Sequence, residues 1–234
     1  MRAATRSAFL LGLRDGAPFV IVIVPFAMLF GLVASEAGWT LMQIMAMTVL
    51  VIAGASQFTA VQLVTENAPT LVVIFAALAV NLRLAMYSAS LALHIGAAPL
   101  WQRAAVAYVL VDQNYGTAMI RFAERPRMGV PERVAYILGA ALALAPLWYA
   151  FTWVGAVAGT AIPAGLAIDF AVPIAFIAMV APALRDRPHV AAAVAAVVAA
   201  LLLAGLPYSL GLLVASGIGM GVGAGLEAMA ERRA

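Results

Sequence analysis

Long apolar stretches alternate with short polar connections along the whole chain, but three polar patches fall near the centres of apolar stretches: Gly54-Ala55-Ser56-Gln57, Asn81-Leu82-Arg83 and Asp112-Gln113-Asn114. Crossing a hydrocarbon core takes about 20 residues in a helix. On that measure the pattern predicts spans near 16–34, 42–64, 69–95, 102–121, 134–158, 167–184, 189–204 and 207–226. The expected fold is an all-α polytopic membrane protein of about eight transmembrane helices, some kinked or discontinuous. The penultimate stretch is short, so six crossings plus a hairpin of the last two segments is the alternative.

Composition supports the membrane reading. Of 234 residues, 66% are hydrophobic and 10% charged, and the mean hydropathy is +1.07. That leaves too little charge to coat a soluble domain of this size. The connections are short and no low-complexity linker interrupts them, so one membrane domain over 1–234 is expected. The apolar region after Arg14 imitates a signal peptide but continues into span after span, and is read as retained.

Charge adds orientation. All 13 basic residues are arginine, and basic residues collect in cytoplasmic loops. An inside N-terminus puts Arg2, Arg6, Arg14, the Arg121–Arg133 loop, Arg185 with Arg187, and Arg232 with Arg233 on the cytoplasmic side. Arg103 then falls outside and Arg83 within a span. Both termini are expected in the cytoplasm. These arginines sit in short connections and form no base-reading face, so nucleic acid is not an expected partner. With no cysteine and two distant histidines, His94 and His189, no metal motif is legible.

Prolines near span centres, Pro25, Pro146 and Pro173, remove backbone donors and predict kinked or broken helices. Such breaks are tolerated where side chains or water re-satisfy the backbone, as beside transporter binding sites, and equally occur as plain kinks. No internal repeat is legible by eye.

The polar patches are the candidate chemistry, since charge at mid-depth is costly unless it faces protein or water. Gly54 and Ser56 allow close backbone approach and Gln57 offers an amide donor and acceptor; the same residues also suit tight helix packing. Arg83, Tyr87 and Ser90 share one helical face, with Asn81 and Ser88 on another. Tyr108, Asp112, Tyr115 and Met119 form one stripe of the fourth span. If these spans are neighbours, an Arg83–Asp112 pair lowers the desolvation cost of both charges. Such a pair fixes helix register, receives a carboxylate and an ammonium, or couples to protons; the residues alone leave all three open. Asp169 reads as a cap or an outer gate, and Glu66-Asn67 as a solvated turn.

Gly217, Gly221 and Gly225, with Gly219 and Gly223 interleaved, give the last span two small-residue faces for helix packing, within the chain or in an oligomer. Trp39, Trp101 and Trp153 suit interface positions; Trp148 lies too deep.

The stretch FLLGLRDGAPFVIVIVPFAMLFGLVASEAG, followed by VIAGASQFTAVQL, LAVNLRLAMYSASLA and YVLVDQNYG, resembles the AzlC family of branched-chain amino acid permeases and exporters. The resemblance covers nearly the full chain and is strongest through Gly116. It implies export of valine, leucine or isoleucine across the bacterial inner membrane, with a small hydrophobic AzlD-type subunit. By position, the family-like polar residues are Gly54, Ser56, Gln57, Asn81, Arg83, Tyr87, Ser88, Asp112, Gln113 and Tyr115. Leu84 departs from the pattern, where a histidine is expected in many relatives.

The expected function is therefore secondary, proton-coupled transport of branched-chain amino acids, with methionine as a further candidate. The other class is a noncatalytic membrane assembly or regulatory subunit. No nucleophile–base arrangement points to an enzyme, and no cofactor is expected.

Overall fold

The computed structural model describes residues 2–159, 184, 186–206 and 210–231. Its helices are α1 (Arg2–Gly16), α2 (Val20–Glu36), α3 (Leu41–Leu50), α4 (Gly54–Thr65), α5 (Thr70–Ile95), α6 (Leu100–Tyr108), α7 (Asp112–Glu124), α8 (Val130–Gly159), α9 (Arg187–Leu202) and α10 (Leu210–Glu231). A single turn, Ala17–Phe19, joins α1 to α2. Two compact units form, Met1–Val61 with Ala77–Leu166, and Gln62–Ala76 with Ala167–Ala234.

The first unit is built on α8. The continuous Ala3–Glu36 stretch packs along α8 in the same direction, α1 on its first half and α2 on its second. Glycines let the backbones touch: a Cβ on Gly12 would strike the Tyr136 carbonyl, on Gly139 that of Phe9, on Gly31 that of Thr152, and on Gly155 that of Met28. Small residues at such crossings are how helices gain van der Waals contact where no hydrophobic force separates helix from lipid.

Among the described residues neither the expected eight crossings nor six plus a hairpin is found. Among the described residues three helices are long and apolar enough to cross a membrane, Ala3–Glu36, Thr70–Ile95 and Val130–Gly159, and three shorter apolar helices accompany them. The expected span 42–64 divides into α3 and α4 at Val51–Ala53, and 102–121 into α6 and α7 at Val109–Val111. Each is a hairpin. α3 leaves the end of α2, reaches Trp148 and Thr152 of α8 through Thr48, and α4 turns back so that Phe58 lies 5.7 Å from Phe30. α6 starts beside the first turns of α1 and α8, where Trp101 and Gln102 line a hollow with Thr5, Arg6 and Val134. It reaches Tyr149 through Tyr108, and α7 returns to Asp15 and Tyr136 through Arg121 and Phe122.

The reason is local. Extended residues Val51 (φ −134°, ψ 95°) and Val111 (φ −137°, ψ 166°) end one half-helix and precede the next, and buried amides satisfy the backbone there. Composition windows average across such breaks and read one span. The prolines do not interrupt: α2 runs through Pro25 and α8 through Pro146. Pro173, Asp169 and nearly all of the 167–184 span lie outside the described residues. Arg103, left alone on the outer face by an eight-span count, belongs to α6 at the same end of the unit as Arg6, Arg121 and Arg133.

In the second unit α9 and α10 pack antiparallel. Gly219 faces Ala196 and Ala192, and Gly223 faces Ala192, whereas a Cβ on Gly217, Gly221 or Gly225 would meet nothing within 4 Å. Of the two glycine faces, the interleaved one makes the intrachain contact. Glu66 accepts from Gln62 Nε2 at 2.7 Å in the turn after α4.

Candidate functional site

α5 and α7 run side by side in the same direction, and their polar faces meet as a ladder. Arg83 Nη1 lies 2.7 Å from Asp112 Oδ2. Next, Tyr87 and Tyr115 stack with ring centres 4.1 Å apart and planes within 10°. The Tyr115 hydroxyl donates to Ser90 Oγ at 3.1 Å, and Ser90 approaches the Met119 sulfur at 4.0 Å. The period that puts Arg83, Tyr87 and Ser90 on one face thus finds its complement in Asp112, Tyr115 and Met119.

Asp112 is the first residue of α7, where the helix dipole favours a carboxylate. The Arg83 and Asp112 side chains remain 32% and 37% exposed. Each also keeps a buried polar atom, Arg83 Nε and Asp112 Oδ1, with no hydrogen-bond partner among the described residues. The charges touch through one contact and leave hydrogen-bonding capacity unused.

Two positions earlier on α5, Asn81 Nδ2 donates to Ser56 Oγ at 3.1 Å, and Ser56 in turn donates to the Ala53 carbonyl. Asn81 therefore holds the tip of the α3–α4 hairpin while Arg83 holds that of α6–α7. Fully buried Gln57 closes the first tip: its Nε2 donates to the Val51 carbonyl at 2.7 Å and to Thr48 Oγ1 at 3.2 Å. Thr48 also accepts from Trp148 Nε1 at 2.8 Å, which explains that tryptophan's depth. Gly54 sits where a Cβ would press on the Phe26 and Trp148 rings. Gln113 is half-buried beside Asp112, its carbonyl accepting from Thr117 Oγ1.

Nine expected residues thus divide by place. Arg83, Tyr87, Asp112 and Tyr115 share the α5–α7 ladder; Ser56 and Asn81 share the first tip with Gln57; Gly54 serves packing, and Gln113 stands at the second tip. The expected stripe of Tyr108 with Asp112, Tyr115 and Met119 is broken by the interruption at 109–111. Tyr108 ends α6 and instead donates to the Val49 carbonyl at 2.7 Å, with the Tyr149 hydroxyl 3.0 Å away.

Sequence reasoning missed several partners. Asn114, at the third position of α7, accepts from Val111 N at 2.9 Å and donates to the Val109 carbonyl at 2.6 Å; the expected unbroken 102–121 span gave it no such partner. Thr48 and Thr152 carry none beyond being hydroxyls in apolar runs. At the base of α7, Arg121 pairs with Asp15 at 2.6 Å and Glu124 at 3.1 Å, and Tyr136 donates to the same Asp15 oxygen at 2.7 Å. Arg133 reaches His94 Nδ1 at 3.2 Å and lies over the Phe122 ring. No cluster of three or more potential metal ligands occurs among the described residues.

The description "AzlC protein" matches residues 18–162, a stretch that contains α2, α8 and both hairpins between them. The chain belongs to the AzlC family. AzlC membership makes it a small hydrophobic, multi-pass membrane protein of a transport family and not an enzyme. A relative from Archaeoglobus fulgidus, described as an uncharacterized membrane protein, is 30% identical over 199 residues, covering 83% of this chain and 84% of the relative. No solved structure matches this AzlC protein.

Proposed function

We propose that this AzlC protein carries small amphipathic amino acids, valine, leucine and isoleucine first and methionine next, outward across a prokaryotic cytoplasmic membrane, driven by protons and working with a small AzlD-type subunit. The Arg83–Asp112 pair is the observation that supports this most. A zwitterion entering between the two side chains places its carboxylate on the guanidinium and its ammonium on the carboxylate, so neither charge is left bare. Arg83 Nε and Asp112 Oδ1 supply the extra donor and acceptor, and Tyr87 and Tyr115 give an aromatic wall. The proposed orientation has both termini in the cytoplasm, with the arginines of the α8 N-terminal end inside.

A second reading is favoured by the same pair: closed on each other at 2.7 Å, Arg83 and Asp112 also serve a noncatalytic assembly or regulatory subunit whose polar groups fix helix register. The glycine contacts along α8 suit that role equally.

Proteoliposomes with and without the small subunit, loaded with labelled leucine under imposed proton or sodium gradients, separate the two. Gradient-driven movement and counterflow exchange are expected for the transporter. Absence of exchange in both preparations, with the protein folded, leaves the assembly role.

A further inference from the structure

We propose that α2–α3–α4 and α5–α6–α7 are two copies of one structural motif inserted in opposite directions, and that their hairpin tips gate the Asn81–Arg83 region from opposite membrane faces. The first half of this proposal is independent of transport; the gating half rests on the transport reading.

Both segments have the same order: a long apolar helix, a short connection, a half-helix, an extended interruption, and a returning half-helix. The half-helices start from extended residues, Thr40 (ψ 152°) and Pro99 (ψ 148°). The interruptions are of equal length, Val51–Ala53 and Val109–Val111. In each, a fully buried amide in the first turn of the returning helix donates to the carbonyl of the first interrupted residue, Gln57 to Val51 at 2.7 Å and Asn114 to Val109 at 2.6 Å.

The packing repeats as well. In each copy the long helix lies parallel to its own returning half-helix, and the aromatic pairs Phe30–Phe58 and Tyr87–Tyr115 fall at the same sequence separation. Direction is what differs. α2 runs toward the end of α8 marked by Gly159, which faces Leu32 and Ser35. α5 runs toward the other end, where His94 meets Arg133. Inverted pairs of this kind, with discontinuous helices meeting at mid-depth, are a known basis for alternating access.

The tips meet through Tyr108 and the Val49 carbonyl, and both reach α5, by Ser56–Asn81 and Asp112–Arg83. A solute on α5 is then reached from one face when the first tip withdraws and from the other when the second does.

The absence of native cysteine makes single-cysteine labelling clean. In intact cells and inverted vesicles with a membrane-impermeant maleimide, Glu36→Cys and Glu66→Cys are expected to label from one face, and Ala97→Cys and Arg127→Cys from the other. Opposite-face labelling within either pair overturns the repeat. Adding Tyr108→Phe, which keeps the ring and removes the hydroxyl, is expected to raise labelling of Ala55→Cys from the first face and Gly116→Cys from the second by about threefold or more. Unchanged labelling of both tips, or labelling of both from one face, overturns the gate. Neither readout uses substrate, so a protein that passes them and moves no amino acid refutes the transport reading alone.

Discussion

Arg83 and Asp112 meet at 2.7 Å across two helices that run the same way, one of them beginning at the aspartate itself. Replacing either alone, by Arg83→Gln or Asp112→Asn, removes a charge-assisted contact worth about 1.5–3 kcal/mol. Initial transport rates are expected to fall about tenfold or more. The reciprocal exchange Arg83→Asp with Asp112→Arg restores the pair but reverses what a zwitterion meets. Recovered melting temperature without recovered transport is the expected result; recovered transport would reduce the pair to a structural one.

Gln57 carries the first tip on two hydrogen bonds from a fully buried amide. Gln57→Leu leaves the Val51 carbonyl without that donor and is expected to destabilise the fold by about 1–3 kcal/mol, read as a lower melting temperature in detergent. The tip should also become accessible to protease.

At Gly31 and Gly155 the α2 and α8 backbones touch. Gly31→Leu must push the helices apart, at a cost of several kcal/mol, on the order of the largest single-residue effects. Loss of monodisperse protein on size exclusion is expected, whereas Gly217→Leu, where a Cβ meets nothing within 4 Å, should leave the monodisperse yield unchanged.

Asp15 receives both Arg121 and Tyr136 on one oxygen. Asp15→Asn should cost more stability than Tyr136→Phe, about 1.5–3 against about 0.5–1.5 kcal/mol. The double variant should fall short of the sum, because the groups share a partner. Unfolding midpoints of the two single variants and the double variant measure this.

Much of the candidate site was legible in the sequence, since helical spacing alone aligned Arg83, Tyr87 and Ser90, and the cost of mid-depth charge made Asp112 their natural counterpart. The hairpins were not. Span-finding rests on average hydrophobicity, and Val51-Ile52-Ala53 and Val109-Leu110-Val111 are as apolar as the helices they interrupt. What marks them is the amide that follows, Gln57 or Asn114, which the sequence shows only as a member of a polar patch until its carbonyl partner is seen. Pro25 and Pro146 each remove a donor, yet α2 and α8 continue through them, so of the expected kink or break no break occurs there. The Asp15–Arg121–Tyr136 cluster joins residues more than a hundred positions apart, beyond any periodic pattern.

The Tyr108–Val49 bond spans 59 positions, and this orders biogenesis. A nascent chain makes the first hairpin before Asn81, Tyr108 and Trp148, which receive its polar groups, have been translated. Hydrocarbon does not tolerate bare backbone carbonyls, so the Val49 carbonyl is satisfied only once Tyr108 is present. Ribosome-arrested chains that end before Trp148 lack the donor that Thr48 accepts from and are expected to leave the first hairpin exposed to protease.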